Sequence, residues 1–401
     1  MSAHSSIHPW REPPLLRKLC HCMQVAYPFT QTNLRPLTGL TKLQSLIIEA
    51  PRARLRYLKA DDAGMRLAAQ EFPGRLRSLT ELSLPLNAVH DISSVSECVG
   101  LCDLRLLVDM HPIRKWGAHE WAALAPLTSL TCLVVELDFG ERHQGESEAF
   151  YGVLRQLKGL RSVGAAIWGS TCLHVLQSLT QLTTVCGFWY FGAPHERNPP
   201  ACPHIKELGR MLCAPFQAFP GLVSVKLEDA FINDIVALSR HCTGLQRLSL
   251  GECCRFVRSH ADSAEVLSAF RSLAHLQHLT HLELLPPGDA ELVAFTSAAS
   301  AVSTPQLHCL HVRGQLTIHA LMQLHCVRRL KELCVHVSNS EVAWGTFSVE
   351  AVRMWLVGLA VVPKVCLVLQ SAEQQGVFDA AKQWAAEMEL PLPAVLKVSR
   401  A

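Results

Sequence analysis

The phrase LTGLTKLQSLII at 37–48 returns as LAPLTSLTCLVV at 124–135 and as LAHLQHLTHLEL at 273–284. Leucines three apart, with one more apolar residue two further on, do not fit a single regular helix or strand. The phrase therefore specifies a change of backbone within a dozen residues. In its last part side chains alternate, so Leu46 and Ile48 point to one side while Ser45, Ile47 and Glu49 point to the other. That is a strand with one buried face. The leucines ahead of it, Leu37, Leu40 and Leu43, suit a turn-like or helical approach whose apolar edge folds over the same core.

Aligned on the third leucine, the phrase has anchors at Leu46, Leu82, Leu104, Leu133, Val163, Val185, Val225, Leu248, Leu282, Leu310, Leu333 and Val365. From Leu46 to Val365 is 319 residues in eleven steps, about 29 per step, a period that marks a repeat stack. Between strands a helical spacing returns, at Leu292, Phe295, Ala299 and Val302, at Ala320, Leu321, Leu324 and Val327, and at Val349, Val352, Leu356 and Leu359. Strand then helix, repeated, requires parallel strands. One unit cannot bury its own leucines, each contributing roughly 1.5–3 kcal/mol when fully buried, so a column of neighbours must supply the core.

The pattern resembles the leucine-rich repeat family, whose unit runs L-x-x-L-x-L-x-x-N/C-x-L. Its best copy is Leu79, Leu82, Leu84 and Asn87, while Leu245, Leu248, Leu250 and Cys253 resemble the cysteine-bearing, ribonuclease-inhibitor-like form. The Asn/Cys position is approximated by Asp109 and Asp138 and lost at Ala230, Pro287 and Gln315. The resemblance implies an α/β horseshoe-shaped solenoid of about twelve parallel strands on a concave face, with helices or irregular segments on the convex side. It covers 37–370, leaving 1–36 as an amino-terminal cap, with a helix over LLRKLCHCM (15–23), and 371–401 as a carboxy-terminal cap helix and tail. GAPHERNPPACPH (192–204) and ERHQGESE (141–148) read as inserted loops.

With Lys+Arg 37 against Asp+Glu 34, the net charge of +3 points to neither nucleic acid nor an anionic membrane as partner. The amino terminus has no apolar signal core, and the most apolar window, Met354 to Leu369, is broken by Pro363 and Lys364. No Asn-x-Ser/Thr sequon accompanies the 16 cysteines, so reduced thiols in a cytoplasmic or nuclear protein are expected.

No phosphate loop, HExxH helix, G-x-S-x-G elbow or paired CxxC is present, so the expectation is a non-catalytic scaffold that binds a protein on its concave face. The candidate contact residues are Arg105, Glu136, Phe188, Lys226, Glu228, Arg247, Glu283, His311 and Arg313. Arginine is enriched at binding hot spots, which ranks Arg105, Arg247 and Arg313 first. A more specific version resembles the substrate receptors of ubiquitin ligases, although 1–36 is short for an F-box and lacks its Leu-Pro start. A different alternative is metal binding. His311, Cys334 and Cys366 fall side by side on neighbouring strands, and thiolate and imidazole are zinc ligands; no other cofactor is expected. The series His275, His278, His281 reads instead as the polar edge of one approach segment.

Overall fold

The computed structural model describes residues 22–26, 42–49, 76–85, 93–107, 118–138, 144–168, 171–187, 189–190, 200–211, 216–227, 230–251, 263–285, 287–301, 306–314, 316–327, 329–337, 348–369 and 372–400. The chain falls into two compact units, one of residues 1–168 with 178–182 and one of residues 169–177 with 183–401.

In the first unit the strands are β1 (Cys22–Ala26), β2 (Ser45–Glu49), β3 (Glu81–Pro85), β4 (Asp103–Leu107), β5 (Cys132–Asp138) and β6 (Ser162–Trp168). Each pairs in parallel with the next, in chain order. The register places Met23, Leu46, Leu82, Leu104, Leu133 and Val163 side by side. In the second unit the strands are β7 (Thr184–Cys186), the two-residue β8 (Trp189–Tyr190), β9 (Glu207–Met211), β10 (Ser224–Leu227), β11 (Arg247–Leu250) and β12 (His281–Leu284). They continue with β13 (Cys309–Gly314), β14 (Glu332–Val337), β15 (Lys364–Leu369) and β16 (Val395–Arg400). From β7, and then from β9 to β16, each strand is parallel to its neighbour and aligns Val185, Leu208, Val225, Leu248, Leu282, Leu310, Leu333, Val365 and Leu396.

The three-residue spacing ahead of each anchor has a backbone cause. Leu127 N–H donates to Leu124 O and Leu130 N–H to Leu127 O, both at 3.0 Å. Turns of this kind bring residues i and i+3 onto one side. Leu124, Leu127, Leu130 and Leu133 consequently all lie in the core with no exposed surface. The same ladder is built with phenylalanine at Phe216 and Phe219 and with cysteine at Cys98 and Cys242, all buried.

A second repeated device fixes how one rung meets the next. The residue two before the anchor offers one carbonyl to two N–H groups of the following rung. Gln44 O accepts from Thr80 and Glu81, at 2.8 and 3.0 Å, and Thr80 O accepts from Cys102 and Asp103, at 2.8 and 2.9 Å. In the second unit Thr280 O accepts from His308 and Cys309, and His308 O accepts from Lys331 and Glu332. Where the donor rung has threonine at this position, its hydroxyl adds a third bond: Thr80, Thr131 and Thr280 donate at 3.1, 3.1 and 3.0 Å.

The return segments form helices where the sequence spacing predicts them. Asp289–Ala301 buries Leu292, Phe295 and Ala299, and Val349–Gly358 buries Val352 and Leu356. Ser348 Oγ accepts the Ala351 N–H at 3.1 Å and starts the second of these. Among the described residues no helix is long and apolar enough to cross a membrane, and the Met354 to Leu369 window is part helix and part β15.

Three rungs lie beyond the twelve anchors read from sequence, at Met23, Leu208 and Leu396. Leu208 escapes because Arg210 stands where an apolar residue belongs; the β9–β10 register shifts there, so that Met211 opposes Leu227. Pro200 to His204, expected to be inserted loop, is the approach to this rung and buries Cys202. Leu396 escapes because Pro393 takes the leucine slot three residues earlier. Both segments expected as caps therefore contribute strands: Cys22 and Met23 belong to β1 rather than to a helix, and β16 follows the expected terminal helix, Ala372–Glu387. Of the second expected insertion, Gln144 to Glu148 is the start of helix Gln144–Leu154.

Burial along the anchor column gives a graded expectation. Leu310 is wholly buried between two rungs, whereas Leu396 on the last rung is partly exposed. Leu310→Ala is expected to lower stability by about 2–5 kcal/mol and Leu396→Ala by clearly less, read as the shift in urea midpoint at unchanged slope. Close approach gives another. A Cβ at Gly221 would run into the carbonyl oxygen of Pro203, while one at Gly244 would meet only Leu222 O at 3.9 Å. Gly221→Ala is expected to cost roughly 1–3 kcal/mol and Gly244→Ala to stay near neutral in the same assay.

Candidate functional site

Anchors and the residues two after them point into the core; the residues between them form the open face of the strands. In each unit this face is a set of rows, one residue before the anchor, one after it and three after it.

In the first unit Ser45, Glu81, Asp103, Cys132 and Ser162 occupy one row, and Ser83, Arg105 and Val134 lie in the next. Ser45 Oγ donates to Glu81 at 2.6 Å. Arg105 is clasped by Asp103 through two bonds, Nε to Oδ1 at 3.1 Å and Nη2 to Oδ2 at 3.0 Å. That hydrogen-bonded carboxylate raises the guanidinium's pKa further above its ordinary value. Burial, with Asp103 alongside, pushes the Cys132 thiol up to about 11. Glu136 lies on β5 opposite Leu107.

In the second unit Glu207, Ser224 and Arg247 are successive neighbours across three strands. Arg247 reaches over the small Ser224 to pair with Glu207 at 3.1 Å, and Thr184 Oγ1 donates to the other Glu207 oxygen at 3.3 Å. Lys226 is exposed between Gly209 and Ser249. Ser249 Oγ donates to Glu283 at 2.6 Å, and Cys309 Sγ lies 3.4 Å from His311 Nε2. Arg313 is exposed and stands opposite His336, whose pKa is lowered by burial and then by the Arg313 charge. Phe188 and Glu228, the two remaining contact candidates, lie outside the described residues, as do Asn87 and Cys253 of the repeat consensus. His275, His278 and His281 are all exposed, in keeping with a polar edge.

His311, Cys334 and Cys366 are in register on β13, β14 and β15, as the repeat spacing requires. Among the described residues no group of three or more His, Cys, Asp or Glu side chains is placed to hold an ion. The reason is geometric. Adjacent strands set side chains about 4.8 Å apart and nearly parallel, a row rather than a convergent tetrahedron.

Two exposed or half-exposed groups at the start of β14 and β15 carry a clear electrostatic signature. Lys364 Nζ donates to Glu332, and that bond holds the Glu332 carboxyl below its ordinary range and raises the lysine. A depressed carboxylate pKa stabilises the fold above its unfolded value and is lost as pH falls through the folded one. The Glu332 carboxyl carbon is therefore expected to titrate below pH 4.5 by NMR and to move back toward 4.5 in Lys364→Met.

No family model matches the sequence, and no curated protein does. Among solved structures the chain is similar to an internalin, InlF, from Listeria monocytogenes, with 15% identity over 81% of each chain and a TM-score of 0.38. It is similar to the leucine-rich repeat-containing protein LegL7 from Legionella pneumophila, with 14% identity over 71% of this chain and 91% of that one and a TM-score of 0.37. It is also similar to TLR13 in complex with ssRNA13, with 15% identity over 87% of this chain and 55% of that one and a TM-score of 0.36. What the chain's own repeating unit builds, with strands spelled L-x-x-L-x-L, approached through three-residue turns and laid parallel rung by rung with helices on the return, is the leucine-rich repeat fold.

Proposed function

We propose that this protein is a scaffold that binds a partner protein on the open face of its strands. The observation that carries the reading is the contrast between the two sides of each strand in the second unit. From β10 to β15 one side is apolar and buried, while the other presents Lys226, Arg247, Glu283, His311 and Arg313 with part or all of each side chain accessible. These residues stand on neighbouring parallel strands, so a partner can contact several rungs at once, and solenoids recognise partners through such area rather than through a pocket.

The arginines do not stand equally in this reading. Arg105 and Arg247 are each paired with a carboxylate, so a partner's acid would compete with an existing bond. Among the described residues Arg313 and Lys226 project without such a clasp, which makes them the first contacts to test. Of the remaining contact candidates, Arg105 and Glu136 lie on strands of the first unit.

The test is site-specific photo-cross-linking in cell extract. A photoreactive residue at Lys226 or Arg313 is expected to give discrete protein adducts that survive nuclease. The same residue at His319 or Glu350, exposed on return helices, is expected to give several-fold less. Arg313→Glu should weaken capture of the cross-linked species at least about fivefold, equivalent to roughly 1 kcal/mol. Equal labelling from both sides, or adducts lost on nuclease treatment, overturns the proposal.

A further inference from the structure

Cys334 and Cys366 are the one pair of cysteines that the described strand registers set directly opposite each other. They sit in the middle of a six-pair ladder between β14 and β15, so their spacing is fixed on both sides by backbone bonds. Neighbouring strands run about 4.8 Å apart, inside the roughly 4.4–6.8 Å that separates the Cα atoms of disulfide-bonded cysteines. Both side chains are on the open face, both are half-exposed, and neither is in a disulfide. The other open-face cysteines lack such a neighbour. Cys309 stands between His281 and Glu332, Cys132 between Asp103 and Ser162, and Cys186 beside Gly209.

We propose that Cys334 and Cys366 form a modification site, a dithiol that closes to a reversible disulfide across β14 and β15 when the protein meets a peroxide. The backbone stays as it is; only the two sulfurs turn toward each other. Cys366 sulfur attacks one peroxide oxygen, the O–O bond breaks, and a sulfenic acid and one water result. Cys334 sulfur then displaces the hydroxyl from that sulfenic acid, its own proton leaving with the hydroxyl as a second water. Two thiols lose two electrons and one hydrogen peroxide becomes two waters. The order follows from the surroundings. Burial and the neighbouring Cys366 push the Cys334 thiol up to about 12, so it waits as the resolving partner. The Lys364 ammonium, two residues before Cys366 on the same side of β15, is electrostatically coupled to Cys366. A small thiol such as reduced glutathione or dithiothreitol reverses the bond.

The sequence makes the test direct. Trypsin places Cys334 alone in peptide 332–353 and Cys366 alone in peptide 365–382. The full chain, treated with equimolar hydrogen peroxide and then alkylated, is expected to yield these two peptides linked, two hydrogens lighter than their sum. The link should vanish with dithiothreitol. In Cys334→Ser the link is expected to be absent and Cys366 to accumulate as sulfinic acid or, with glutathione present, as a mixed disulfide. The proposal is overturned if wild-type protein yields both peptides singly alkylated while its other exposed thiols oxidise. It is equally overturned if Cys366 over-oxidises in wild type as it does in the variant. The wild-type peptide map decides the question whether or not the variant folds.

Discussion

Within each unit most rungs are positioned by one backbone carbonyl, the one that receives two N–H groups from the rung after it; at Lys331 it receives one, because Pro363 has no N–H to give. A single strand's worth of parallel bonds would allow sliding by two residues at little cost to the buried pattern, because side chains alternate with a period of two. The doubled bond at the start of the strand removes that freedom. It also explains why threonine recurs just there: the hydroxyls of Thr80, Thr131 and Thr280 reach the same acceptor as the backbone N–H groups. With the register fixed at one end, the leucine column follows, and with it the identity of every neighbour on the opposite face.

That face is chemically busier than a row of charges. Several of its polar side chains are paired, serine to glutamate, Arg247 to Glu207 and Lys364 to Glu332 across strands, and Arg105 to Asp103 along β4. Exposed pairs of this sort add little to stability, typically well under ~1 kcal/mol. They do determine which groups a visitor meets already engaged and which it meets unengaged. Cross-strand pairing thus edits a list of accessible residues into a shorter list of available ones.

Much of this was legible in the chain itself. Leu124, Leu127, Leu130 and Leu133 announce both the turn and the strand, and the row His311, Cys334, Cys366 was placed correctly by counting from anchors. What escaped did so for identifiable reasons. A bulge hid the rung at Leu208 by putting Arg210 in an apolar slot, and Pro393 disguised the approach to Leu396. The convergence a metal requires was not legible at all, because register tells which side chains are adjacent and nothing about whether their tips meet. Nor did spacing reveal that Arg247 steps over Ser224 to a carboxylate two strands away; only the serine's small size, in hindsight, signals it.

The distance between successive rungs varies widely, from seventeen residues between Leu208 and Val225 to thirty-six between Leu46 and Leu82. Since alignment is enforced at one short site, it does not require return segments of equal length. The helical side of the molecule is accordingly a place where foreign sequence can be spliced in and out, during descent or at the bench, while the strands keep step.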